Sequence, residues 1–319
     1  MEDNVRKKLL LLLLFLWYCL SVSILAPLLI GYFFEEHSLL TELFAELLSV
    51  VIPVLILKMI KNKNNDQLLF RISNAPLKEI GIRKILASVL MISAFYFCIQ
   101  YLQNGFHILN YIRTGDFGNV YTPSYPNCLT FLLSVLVYAL LPAVFEEMHF
   151  RTFYCDSYRN YKPLILMLCS SLAFASAHIN SFAILNAFLI GVLLMLIYRK
   201  HCSFIMIVLL HFIHNLLDIV FSAYWSIPYS ILDILEDYAN DAQKKAAVLI
   251  SFSLALFSLS VLLLTFRYVT ANEKNDTDKA KDPEISAEKP KIAEHLITAA
   301  IMVMACALIF MKAKGIIIH

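Results

Sequence analysis

Residues 128–157 read CLTFLLSVLVYALLPAVFEEMHFRTFYCDS. From Cys128 to Phe145 no residue is charged, a run long enough for a helix to cross a hydrocarbon core of about 30 Å. The same segment then places Glu146, Glu147 and Arg151 on one helix. A charge near the bilayer centre costs about 2.5–3.5 kcal/mol on insertion, so ionisable groups here need partners and a purpose.

Outward from that stretch, the 319-residue chain is 60% hydrophobic and only 16% charged, with a mean hydropathy of +0.71. So little polar surface cannot cover a soluble globule of this length. The apolar runs are continuous and lack the alternation of an outer-membrane barrel, so the expected fold is all-α, a polytopic transmembrane helical bundle. The runs predict eight or nine spans, over about 9–34, 39–60, 85–103, 128–157, 163–179, 182–198, 203–222, 246–266 and 293–311. The first is too long for a signal-peptide core and lacks a small-x-small cleavage site, so it is a retained span.

With the N-terminus in the cytoplasm, 21 of the 26 Lys and Arg residues fall on the cytoplasmic side and 5 on the other. The positive-inside rule therefore predicts a cytoplasmic N-terminus. Three regions follow: 1–125, N-terminal membrane helices and a basic cytoplasmic loop; 126–222, a four-helix membrane core; and 223–319, an external loop, C-terminal helices and the charged linker Ala271 to Lys291. That linker has no apolar face to bury and is expected to be flexible. The acidic segment Ser226 to Asp241 reads equally as a surface-lying amphipathic stretch or a solvated loop. The seven cysteines show no C-x-x-C spacing and read as small core residues. Nothing basic and aromatic enough for nucleic acid occurs.

Glu147 and Arg151 stand at i and i+4 with the acid on the N-terminal side, the favourable order for an ion pair. Glu146, turned about 100° away, is then left without a cation from this motif and is a candidate base. The alternative is a purely structural Glu147–Arg151 pair with Glu146 at the interface. His178 closes the fifth run, and His211, Asn215 and Asp218 form a polar stripe at i, i+4 and i+7 on the seventh. At about 1.5 Å per residue, Glu146 reaches the depth of His178 and His211 only if its helix continues to near Tyr158. A long helix that carries Arg151 into the interior is therefore expected. H-E-x-x-H, G-x-S-G and G-x-G-D are all absent, so zinc, serine and aspartate types of intramembrane protease find no support. Glu42 and Glu46 share a helix face and read as external or structurally paired.

These residues resemble the three motifs of the CPBP family, the CAAX protease and bacteriocin-processing (ABI) intramembrane peptidases. The motifs are Glu146-Glu147-x-x-x-Arg151, Phe174-x-x-x-His178 and His211-x-x-x-Asn215, and the resemblance covers about 126–222. Thr152 departs from the family pattern, in which glycine often follows the arginine. The resemblance implies an intramembrane endopeptidase in which Glu146 activates water, with His178 beside it, while His211 and Asn215 hold the oxyanion. Glu147, Arg151 and Phe174 would be structural support. It leaves open a zinc or other divalent ion on Glu146, His178 and His211, although Asn215 is a poor zinc ligand and a good oxyanion donor. The implied partners are membrane lipid and a peptide or protein substrate, either prenylated or of the leader or bacteriocin type. The expected setting is a bacterial plasma membrane. A non-catalytic immunity or scaffold protein that binds a peptide or membrane partner through the same groove is the competing reading.

Overall fold

The computed structural model describes residues 2–21, 39–61, 70, 72, 75–115, 127–178, 181–224, 240–271 and 290–313. Most of the segments Ser226 to Asp241 and Ala271 to Lys291 lies outside these, as does the second half of the first expected span. Among the described residues every regular element is helical. They are α1 (Glu2–Leu20), α2 (39–59), α3 (Leu77–Ile80), α4 (Ile82–Thr114), α5 (Cys128–Ser157), α6 (Pro163–Ser176), α7 (Ser181–His201), α8 (Phe204–Tyr224), α9 (Asp241–Thr270) and α10 (Ile292–Ala313). Among the described residues, six helices are long and apolar enough to cross a membrane: α4, α5, α7, α8, α9 and α10.

The expected run 163–179 forms only the 14-residue α6, shorter than the roughly 20 residues a crossing needs. Conversely, α4 extends well past the expected 85–103. Its polar residues Gln100, Gln103, Asn104, His107 and Asn110 end the hydropathy run but not the helix, which continues to the left-handed C-cap Gly115 at φ 72°. Similarly α9 begins before its apolar run, at a capping box in which Asn240 and Gln243 each accept from the other's backbone N–H.

Among the described residues, α2 carries a wide π-helical turn at Leu47–Val51 and α5 carries two, at Val135–Leu140 and Met148–Phe153. The first two are followed directly by Pro53 and Pro142. Proline has no N–H to donate and its ring crowds the carbonyl four residues back, which accounts for a widened turn at both places. The third has no proline and begins immediately after Glu147. Such turns recur at functional sites.

The chain forms two compact units. The first comprises Met1–Glu79, Leu140–Leu209 and Asn272–His319, and the second Ile80–Ala139 and Leu210–Ala271. In the first, α6 packs on α7 and α10, α1 packs on α10, and the Leu141–Glu147 part of α5 packs on the π turn of α2. Gly191 lets α7 approach α6: a Cβ there would lie 3.2 Å from the Ser171 side chain and 3.3 Å from the Phe174 ring. In the second unit, α4 and α9 pack along their length around buried Ile108 and Val248. Gly105 performs the equivalent service there, admitting the Phe252 ring at 3.0 Å from where its Cβ would stand.

Candidate active site

In the first unit, α5 runs unbroken in helical conformation to Ser157, so Glu146, Glu147 and Arg151 all lie within it. Glu147 and Arg151 are fully buried and paired, with Nε 3.2 Å from Oε2. A buried ion pair needs further contacts to offset desolvation. One is supplied by Phe174 of α6, whose ring centre lies 4.3 Å from the Arg151 guanidinium, a cation–π contact. Phe174 is held in turn by Phe150, at 5.3 Å between ring centroids, and by close-packed Gly191.

Phe174 also positions His178. The His178 ring stands edge-on to it at 5.0 Å, and Nδ1 lies 3.2 Å from the Phe174 carbonyl oxygen. A carbonyl only accepts, so Nδ1–H is the donor, and the neutral ring is fixed in the tautomer whose Nε2 is an acceptor. Ion pair, ring and imidazole thus form one chain of contacts from α5 through α6.

Glu146 is buried, with 8% of its surface exposed. Glu46, Arg151 and Glu147 are among the charged groups near it. The appearance of Glu46 was not legible in sequence: this residue of α2, read as external or structurally paired, has a buried Oε1 and lies near enough to Glu146 for their charges to repel. Its only sequence signal was a carboxylate within an apolar run. His149, one turn on from Glu146, is buried and stacked on Phe150 at 4.1 Å.

In the second unit the third motif lies on α8. His211 is buried at 3% exposure, and Asn215 is half-buried with its Oδ1 3.2 Å from His214 Nδ1. The His214 ring sits 5.9 Å from Phe95 and 5.8 Å from Tyr96 of α4. One turn on, Asp218 accepts from Gln100 Nε2 at 3.3 Å. Aromatic rings of α4 therefore wall His214, the neighbour that Asn215 of the stripe is hydrogen-bonded to. Among the described residues, no group of three or more His, Cys, Asp or Glu is placed to hold a metal ion.

Residues 128–217 match a protein-family model described as Type II CAAX prenyl endopeptidase Rce1-like. The matched segment contains all three motifs, consistent with the CPBP and CAAX protease family, and supports a membrane endopeptidase of CAAX type in general. No curated protein and no solved structure matches the chain.

Proposed function

We propose that the chain is a membrane-embedded endopeptidase that hydrolyses a peptide bond with water activated by Glu146. The observation that carries this reading is the buried Glu147–Arg151 pair. It holds this turn of α5 in the interior, and the adjacent carboxylate, Glu146, is buried on the same turn and serves as the base.

Glu146 takes a proton from water as the oxygen adds to the scissile carbonyl carbon. His178, locked by Phe174 with Nε2 as acceptor, orients that water. Charge develops on the carbonyl oxygen, and the family resemblance assigns the hydrogen bonds it accepts to His211 and Asn215. The tetrahedral species collapses with breakage of the C–N bond, and Glu146 returns its proton to the departing amine. Every atom and proton is accounted for by water, substrate and Glu146. No step is routed through a metal, because Asn215 suits an oxyanion better than a zinc ion.

The substrate is a peptide tail that approaches from the cytoplasmic side of a bacterial plasma membrane, with a prenylated C-terminal peptide as the first candidate and a leader or bacteriocin-type peptide as the second. The test is cleavage of internally quenched peptides by the full-length chain in liposomes, with and without a farnesyl group. Cleavage of either peptide supports the endopeptidase, and preference for the farnesylated one supports the CAAX assignment. Intact peptides in both arms would favour the scaffold reading.

A further inference from the structure

Where α5 ends and α6 begins, the chain turns through Tyr158 to Lys162 at one face of the first unit. A crevice of about 20 Å³ opens there, lined by Tyr158, Arg159, Tyr161, Pro163 and, from the last turn of α7, Arg199. The positive-inside count makes this the cytoplasmic face.

Besides Lys162 in the turn itself, two sets of cations stand at this crevice. Lys7 and Lys8 of α1 are buried and have their own carboxylates. Lys7 Nζ lies 2.7 Å from Asp156 Oδ2, and Lys8 pairs with Glu294 of α10. Asn160 completes the second pair, its Oδ1 3.3 Å from Lys8 Nζ and its Nδ2 2.9 Å from Glu294 Oε2. Lys8 also lies beneath the tyrosines, 5.0 Å from the Tyr158 ring and 4.6 Å from the Tyr161 ring. The floor is thus fixed and charge-balanced by α1 and α10, both outside the segment that matches the family model.

Arg159 and Arg199 form the second set, and both line the crevice itself. Asp156 is engaged by Lys7 and stands 3.9 Å from Arg159, whose side chain is 40% exposed. Guanidinium groups present planar donor forks that suit phosphate oxygens. The volume admits one or two oxygen-sized groups and no bulky side chain. Next to Pro163, Leu164 is 59% exposed, so apolar surface adjoins the basic crevice. Tyrosine and arginine beside exposed leucine, at the ends of membrane helices, match the chemistry of a headgroup above an acyl chain.

We propose that this crevice binds the phosphate of an anionic phospholipid of the adjacent leaflet, with Arg159 and Arg199 on the phosphate oxygens and the acyl chain along Leu164. The site stands apart from the peptidase reading and does not depend on it.

Native mass spectrometry of the delipidated full-length chain tests it, with short-chain phosphatidylglycerol, phosphatidylcholine and inorganic phosphate as probes. Phosphatidylglycerol is expected to bind more tightly than phosphatidylcholine. Arg159→Gln and Arg199→Gln each weaken phosphatidylglycerol binding about fivefold, the scale of one basic residue near an anionic surface. Arg113→Gln, from the group of basic residues assigned to the opposite face, leaves binding unchanged. Arg159→Lys and Arg199→Lys keep the charge without the planar fork and bind phosphatidylglycerol more tightly than the glutamine variants and less tightly than the parent, with circular dichroism checking the fold of each variant. Equal binding of the two lipids, or unaltered phosphatidylglycerol binding by the glutamine variants, overturns the proposal. Displacement of the lipid by equimolar inorganic phosphate would identify a soluble-phosphate site and overturn the lipid assignment.

Discussion

The two units hold their polar motifs in different ways. The first keeps charge in its interior and stabilises it with a partner: Glu147 on Arg151, Arg151 on Phe174, and Phe174 on His178. The second carries imidazole and amide groups, His211, His214 and Asn215, with a hydrogen bond between His214 and Asn215 and aromatic rings against His214. A buried charge has to be matched before the fold is stable, whereas a neutral donor needs only an acceptor. The ionic half should therefore govern folding as well as chemistry, and the other half chiefly chemistry.

Arg151→Met gives the largest expected loss of stability, about 3–5 kcal/mol, because it strands the Glu147 carboxylate in the interior. Thermal unfolding of the full chain in detergent measures it. The double replacement Glu147→Leu with Arg151→Met should recover most of that loss, since neither charge is then left buried alone. Failure to recover would mean that the pair does more than neutralise itself.

In the other unit, Asn215→Ala should reduce peptide cleavage about 10²–10³-fold, the cost of one oxyanion donor, with little change in melting temperature. A collapse in stability comparable to that of Arg151→Met would erase the distinction between the units.

The two close-packed glycines sharpen the comparison at smaller scale. Gly191→Ala pushes directly on Ser171 and Phe174, and through Phe174 on Arg151, so about 1–3 kcal/mol of stability should be lost. Gly105→Ala meets only the edge of the Phe252 ring, the far end of a partly buried side chain. Its cost should be the smaller of the two and should leave cleavage unchanged. The same unfolding and peptide assays read both.

Much of this was legible in the sequence for physical reasons that can be named. Apolar run length gave the helical class, and the boundaries of α5 at Cys128 and Ser157 agree with the expected 128–157. The Glu147–Arg151 pair follows from helical spacing alone, and the structure forms it. Phe174 was marked only by family resemblance, because a cation–π contact between α5 and α6 leaves no periodic trace in either helix. Glu46 and Glu146 are separated by a hundred positions, and the Lys8–Glu294 pair by 286. Such pairings depend on how helices pack, which local pattern does not encode. The ends of α4 and α9 were missed because hydropathy falls before helical geometry does. At the start of α9, Lys244 stays helical and places its ammonium 4.7 Å from the Tyr111 ring.

The division of labour between adjacent carboxylates is best measured by Glu146→Gln and Glu147→Gln side by side, with turnover and melting temperature recorded on the same preparations. Glu146→Gln should lose cleavage by about 10²–10⁴-fold, the contribution of a general base, and melt like the parent. Glu147→Gln should melt well below it. Cleavage at the parental rate by a folded Glu146→Gln protein would contradict the account.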